Sequence, residues 1–143
     1  MDARELMIGD IVRVTKDVCI RKGSIVRVLA VDGTASLREK GLCGYATCEV
    51  IGDKYHTTGG VWCEFLEPVP VTTKNLEKNF KREGGGCHYF DDEHGVCIEF
   101  YSDPVTEKYI VLYTNKGKLY VKRNIHDIQH ALFVSEVDKE III

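Results

Sequence analysis

The sequence predicts an α+β fold, in which a small N-terminal β-barrel precedes a lobe made of a helix, an antiparallel β-meander and a second helix. Short runs of alternating apolar and polar residues, separated by glycine turns, fill the first part of the chain. Two prolines at 68–70 interrupt this pattern, and helical and strand-like patterns alternate after them. These three observations favour two domains, the barrel at 1–68 and the α+β lobe at 69–143.

The barrel is predicted from five short segments with the sequence pattern of β-strands. The first strand follows the turn Gly9-Asp10, and alternation places Val12, Val26 and Val28 on one apolar face, where we expect a core. A Gly-Asp turn before Val-x-Val, with Lys-Gly opening the next strand, is similar to SH3-like barrels, which serve many unrelated functions. The remaining strands are expected at 24–31, 35–38, 45–51 and 61–66.

The second domain has its own start and stop signals. The prolines favour an extended connector, after which Thr72 or Thr73 can cap a helix at about 73–82. Two β-hairpins are expected at about 87–122. Asn124 can cap a helix at about 124–134, and the β-branched end of the chain predicts a terminal strand at about 139–143.

Charge and targeting signals limit the classes of partner. The net charge is −3, with 9 basic against 10 acidic residues in 1–70 and 10 against 12 in 71–143. Neither half is basic, so binding to nucleic acid is not expected without a specific site. The sequence has no signal-peptide pattern and no apolar run long enough for a membrane span, which predicts a cytoplasmic protein without a membrane partner. The six cysteines are then expected to be reduced thiols.

Two groups of residues contain the ligand types that zinc prefers. Neither group has the Cys-x2-Cys doublets that direct thiolates at one point, so we expect no metal and no cofactor. Buried thiols and surface imidazoles are the simpler interpretation. If zinc binds at all, the candidate ligands are Cys43 and Cys48 with Cys63 or His56, or alternatively Cys87, His94 and Cys97 with His88.

Catalysis has weak support in the sequence. Cys87 and His88 provide a nucleophile and a base, but neighbours on a strand point to opposite faces, so the pair is not expected to meet. The triplet Gly84-Gly85-Gly86 lacks the Gly-Lys-Ser/Thr ending of a phosphate loop. The acidic run at 91–93 lacks the ligand spacing of a calcium loop and predicts a solvated hairpin tip. We therefore expect a protein that is not an enzyme.

The barrel surface has the residues best suited to binding. Arg21, Lys22 and Arg27 belong to a local group of positive charge that could contact phosphates. Tyr45, Tyr55 and Trp62 could line a groove for a peptide or a nucleic acid, and core packing is the alternative for Trp62. A solvated polar face is the alternative for the basic residues. Trp62 and Cys63 are neighbours on an expected strand, so one of them faces the core, and the sequence leaves open which.

Three short motifs carry a resemblance that spans most of the chain. They are Leu6-x-Ile8-Gly9-Asp10, the segment Leu66-Glu67-Pro68-Val69-Pro70-Val71-Thr72 before a helix, and the closing Ile125-His126-Asp127-Ile128-Gln129. With these motifs the chain resembles a family of small proteins from gut anaerobes of the Bacteroides type and their prophages and mobile elements. The resemblance implies an accessory-genome context and no particular activity.

Together these observations predict a noncatalytic binding or adaptor module with an unknown protein or peptide partner. A zinc-stabilised regulator that binds nucleic acid is the alternative, and a small hydrolase that uses Cys or His is a weaker one.

Overall fold

The structure, a computed structural model, describes residues 1–34, 36–37, 41–42, 44–102 and 108–143. It is an α+β protein with two five-stranded antiparallel sheets and two α-helices. The chain divides into two compact units, Met1–Val69 and Pro70–Ile143. The sequence places the domain boundary after residue 68.

The N-terminal unit contains one sheet with the strand order β6-β5-β2-β1-β7, in which all neighbours are antiparallel. Two short strands, β3 and β4, pair separately. The expected strand at 35–38 corresponds to β3, and Ala35 and Arg38 lie outside the described residues. The strands of this unit are β1 Ile11–Val14, β2 Ile25–Asp32, β3 Ser36–Leu37, β4 Gly41–Leu42, β5 Tyr45–Val50, β6 Thr58–Trp62 and β7 Leu66–Pro68.

The main core cluster of this unit lies on one side of the sheet, while the buried Ile11 pairs with Arg27 and faces the other side. Val12, Val26 and Val28 are fully buried, which confirms their predicted facing. Val12 pairs with Val26 across β1 and β2, so the two side chains point to the same face. The register of β2 shifts between Val28 and Ala30, and such a bulge bends a strand, which lets the sheet wrap its core.

The predicted strand at 61–66 is wrong in one respect. The chain leaves β6 after Trp62, makes a 3-10 turn at Cys63–Phe65 and enters β7 at Leu66. β7 lies at the sheet edge, which is where a strand can hold a proline such as Pro68. Among the described residues no ladder joins β6 to β7, so the sheet is open, and a closed barrel is not demonstrated.

The C-terminal unit begins with a helix that is shorter than predicted. α1 spans Thr73–Asn79, and Thr72 caps it: the Asn75 N–H donates to Thr72 Oγ1, and the Thr72 N–H donates to Asn75 Oδ1. The expected end of the helix is instead the short strand β8, Lys81–Arg82.

A five-stranded meander and a closing helix complete this unit. The strand order is β12-β11-β10-β9-β8, and its core lies under α2, Ile125–Val134. Asn124 occupies the N-cap position but donates to the Asp127 carboxylate rather than accepting from the helix backbone. The remaining strands are β9 His88–Asp91, β10 Val96–Glu99, β11 Tyr109–Thr114 and β12 Gly117–Lys122. The largest buried side chains of this unit are Tyr89, Leu76, Ile98, Ile110, Leu112, Ile125, Ile128 and Leu132.

The predicted terminal strand at 139–143 is absent, because these described residues pair with no strand. The segment is held in another way. Ile141 is buried, and the amide side chain of Asn79 accepts from the N–H of Ile142 and donates to its carbonyl, both at 2.7 Å. A side chain thus replaces the neighbouring strand as the partner of this backbone.

No helix in the described part of the chain is both long and apolar enough to cross a bilayer.

Candidate functional site

An aromatic pair lies on the N-terminal sheet, on the face opposite the core. Tyr45 opens β5 and Trp62 ends β6, and the two residues are cross-strand partners. Their ring centroids are 5.1 Å apart in an edge-to-face arrangement, and both side chains are half-buried. Trp62 therefore faces outward and Cys63 is the buried member of that pair of neighbours, which answers the question left open by the sequence.

The Tyr45 ring rests on a glycine. A Cβ at Gly60 would lie 1.7 Å from the Tyr45 hydroxyl, so no other residue fits there while the ring keeps its place. Gly60 of the sheet thus supports one side of the Tyr45 ring. Both rings of the aromatic pair remain partly exposed to solvent.

A cavity of about 580 Å³ lies in the same unit. Two of its lining residues, Gly44 and Glu64, are close neighbours of Tyr45 and Trp62 in the chain. The cavity therefore opens where β5 begins and where β6 passes into the 3-10 turn. The other described lining residues are Asp2, Ala3, Arg4, Val31 and Gly33.

The structure separates the other candidates for the barrel surface. Arg27 pairs with Glu49 and shares the outer face with Tyr45. Arg21 and Lys22 are exposed in the connection between β1 and β2, where the Lys22 N–H donates to Asp17. Tyr55 is 77% exposed in the β5–β6 turn. The five residues therefore do not form one cluster, and Trp62 rather than Tyr55 is the partner of Tyr45.

The first proposed zinc set does not form a described site. Cys43 lies outside the described residues, Cys48 and Cys63 are fully buried, and His56 is exposed with Nδ1 3.2 Å from Glu49. Burial, together with the neighbouring Cys63 and Cys19, raises the pKa of Cys48 to about 12. A thiol that stays protonated packs as a small apolar group and is a poor ligand for zinc.

The second proposed zinc set is also dispersed. His94 Nδ1 donates to the Asp91 carboxylate at 2.8 Å, in the turn between β9 and β10. Among the described residues, the group whose ligand atoms converge within 4.8 Å contains Asp91, Glu93 and His94, and no cysteine. Asp91 already has strong partners, since Lys139 Nζ lies 2.6 Å from its carboxylate. The expected solvated hairpin tip is wrong for Asp91, whose side chain is only 10% exposed.

Cys87 and His88 do meet, contrary to the prediction from strand alternation. Cys87 Sγ lies 3.5 Å from His88 Nδ1, because β9 begins at His88 and alternation does not extend to the residue before it. His88 Nε2 lies 3.7 Å from Glu99, its cross-strand partner in β10. The imidazole of His88 therefore lies between the thiol of Cys87 and the carboxylate of Glu99.

Two tyrosines complete this thiol cluster, which consists of Cys87, His88, Glu99, Tyr101 and Tyr113. Both tyrosine hydroxyls donate to Glu99, at 2.9 Å from Tyr101 and 3.3 Å from Tyr113. The neighbouring Cys87 and Glu99 raise the pKa of Tyr101, so its hydroxyl remains a proton donor. Cys87 and Tyr101 also line a small cavity of about 200 Å³. The cluster can hold and orient a proton near a half-exposed thiol.

Sequence reasoning missed Glu99, Tyr101 and Tyr113 as members of any site. The usable signal was the two-residue spacing of Glu99 and Tyr101, which places polar side chains on the outer face of β10 and its extension. Pairing of β10 with β11 then brings Tyr113 beside them, and this pairing is not visible in the sequence.

Comparison of the chain with protein-family profiles, with curated proteins and with solved structures found no match.

Proposed function

We propose that the protein is a noncatalytic binding module that holds an extended peptide segment of a partner protein on the Tyr45–Trp62 pair. The observation that carries this proposal is the pair itself: two large rings, half-exposed and held edge to face on a rigid sheet. Aromatic side chains that are already ordered provide contact area at low entropic cost, which is why they dominate binding surfaces.

We also propose that the N-terminal unit is an SH3-like barrel. The order β7-β1-β2-β5-β6, the bulge in β2 and the 3-10 turn before the last strand support this assignment. The main apolar core cluster on one side of the sheet supports it as well. A barrel of this kind presents aromatic residues from a rigid frame, which fits a binding role and requires no catalytic group.

Glu64 and the basic residues suggest what such a peptide would contain. Glu64 follows the aromatic pair closely in the chain and lines the cavity near the start of β5, and Arg27 lies on the same outer face as Tyr45. A peptide with an apolar or proline-rich centre and charged ends would use the rings for stacking and the charged groups for orientation.

The resemblance to proteins of prophages and mobile elements supports an adaptor role in the cytoplasm of a bacterium that carries such an element. The described cysteines form no disulfide, which suits a reducing compartment.

Selection from a random-peptide display library, followed by titration of the selected peptides, tests the proposal. Trp62 is the only tryptophan of the chain, so its fluorescence reports on this surface directly. We expect selected peptides to change Trp62 fluorescence and Tyr45→Ala to weaken their binding by roughly tenfold or more.

Tyr55→Ala is the matched control, because it removes the same side chain from an exposed turn of the same unit. Equal losses from both variants, or binding that leaves Trp62 fluorescence unchanged, would contradict a site on the aromatic pair.

The thiol cluster keeps a small hydrolase as a second candidate, because Cys87 lies within contact distance of an imidazole. Turnover of an activated ester that is lost in both Cys87→Ser and His88→Gln would favour this candidate over the binding module.

A further inference from the structure

The hairpin of β11 and β12 concentrates positive charge that the charge totals conceal. Residues 108–123 contain four lysines and one arginine and no aspartate or glutamate. The half-chain to which they belong is acidic by two residues, with 10 basic against 12 acidic. The average charge of the half-chain, which weighs against binding to nucleic acid, therefore does not describe the hairpin.

Lysines and tyrosines share one face of this hairpin. Tyr109 pairs with Lys122, Tyr113 pairs with Lys118, and Tyr120 lies between the two lysines on β12. Because side chains alternate along a strand, all five project to the same side, which we term the tyrosine–lysine face. The opposite side of the hairpin carries the buried residues Ile110, Leu112 and Val121 and the more exposed Leu119.

The tyrosine–lysine face is accessible. Tyr120 is 68% exposed and Tyr109 is 52% exposed. Such exposure of two large rings on an ordered sheet leaves ring surface accessible to a ligand. β12 is also an edge strand, and edge lysines alone can be explained as protection against strand addition, but exposed tyrosines do not serve that purpose.

The positive charge of this face is only partly balanced, by Glu99, which pairs with Val111 on the same side of the sheet and favours the charged form of Lys118. Lys118 and Lys122 form no ion pair with a carboxylate of the described residues. Lys118 Nζ lies 5.1 Å from the centroid of the Tyr120 ring and 5.7 Å from that of Tyr113, so the rings hold the ammonium group on the face. The hydrogen bond to Tyr120 and the nearby Tyr113 also raise the pKa of Lys118.

We propose that the tyrosine–lysine face binds single-stranded nucleic acid. Lys118 and Lys122 contact phosphates, while Tyr120 and Tyr109 stack on bases. The alternation of cation and ring matches a polymer in which anionic phosphates alternate with flat bases. A duplex fits less well, because its bases are stacked on one another and their faces cannot reach the tyrosines.

Fluorescence anisotropy with the full chain tests this inference. The probes are labelled homopolymers of deoxythymidine and of uridine, each about 15 nucleotides long, and a duplex of equal length. We expect both single strands to bind more tightly than the duplex. A preference between the two single strands separates DNA from RNA as the natural ligand.

Two variants assign the roles of the side chains. Tyr120→Ala should weaken single-strand binding roughly tenfold at every salt concentration, since it removes one stacking platform. The double variant Lys118→Ala with Lys122→Ala should weaken it and lower the slope of log affinity against log salt by about 1.4, two phosphate contacts at about 0.7 each. All three positions are exposed or at the sheet edge, so thermal melts should be unchanged.

The control is Lys22→Ala with Lys54→Ala, which removes the same charge from exposed positions of the N-terminal unit. Affinity and salt slope should be unchanged by it. Equal effects of the two double variants would mean nonspecific charge attraction and overturn the proposal, as would tighter binding to duplex or no binding at low salt. These outcomes leave the peptide site at Tyr45 and Trp62 to its own test.

Discussion

Lys139 Nζ lies 2.6 Å from Asp91 Oδ2, and both side chains are almost buried, with exposed fractions of 13% and 10%. The Lys139 ammonium also lies 4.9 Å from the centroid of the Phe80 ring. His94 adds two further contacts to the same carboxylate, from its backbone N–H at 3.1 Å and its Nδ1 at 2.8 Å. The ion pair joins the end of β9 to the C-terminal segment, where sequence analysis predicted a strand and a solvated tip.

Lys139→Met should destabilise the protein by about 2 kcal/mol, because it leaves Asp91 buried without its cation. Methionine keeps most of the apolar stem of the lysine, so the loss of stability reflects the removal of the positive charge. The control is Lys116→Met, which breaks an ion pair to Glu136 with both side chains exposed and should cost less than about 0.5 kcal/mol. Urea unfolding of both variants gives the comparison, and similar losses would mean that the Asp91 pair contributes no more than a surface pair.

The stability that Asp91 provides should disappear in acid. Burial acts to raise the pKa of its carboxyl, but the Lys139 ammonium and the His94 contacts prevail and lower it to about 2. A lowered pKa stabilises the folded state at pH values above the unfolded-state pKa of about 4, and this contribution is lost as the pH falls from about 4 to about 2. The difference in unfolding free energy between wild type and Asp91→Asn should therefore shrink by roughly 1–2 kcal/mol over that range, after allowance for solvent screening. A difference that stays constant with pH would contradict this assignment.

The facing of β5 can be tested with adjacent substitutions. Ala46 is fully buried and Thr47 is exposed on the outer face. Ala46→Asp buries an unpaired carboxylate and should unfold the N-terminal unit, whereas Thr47→Asp should change stability by only about 0.5 kcal/mol. Circular dichroism melts of both variants provide the measurement. Tolerance of Ala46→Asp would show that β5 does not cover a closed core.

Thiol labelling should separate the cysteines by environment. Cys19 is exposed and Cys48 is fully buried, and burial raises the pKa of Cys48 to about 12. A thiol reagent at mildly alkaline pH should modify Cys19 within minutes and leave Cys48 unmodified until the protein unfolds, because the reagent requires an accessible thiolate. Peptide mapping by mass spectrometry identifies the modified residues. Rapid modification of Cys48 in the folded protein would mean that the core opens locally.

The sequence by itself determined the features that depend on neighbours along the chain. Alternation identified Val12, Val26 and Val28 as core residues, and the Thr72 cap identified the start of α1, because strand pleating and helix capping are set by local backbone geometry. The two helices and most of the longer strands followed for the same reason, whereas β8 and the division of 61–66 into β6 and β7 did not.

Only the tertiary structure decided the features that depend on residues far apart in the chain. It turned Trp62 outward beside Tyr45, brought Glu99 to His88, and gave Asp91 the cation Lys139. Strand pairing also placed two lysines and three tyrosines of residues 108–123 on one face. The net charge of the half-chain does not reveal this arrangement. Composition and periodicity contain no information on which distant side chains meet, because that depends on register and packing between elements.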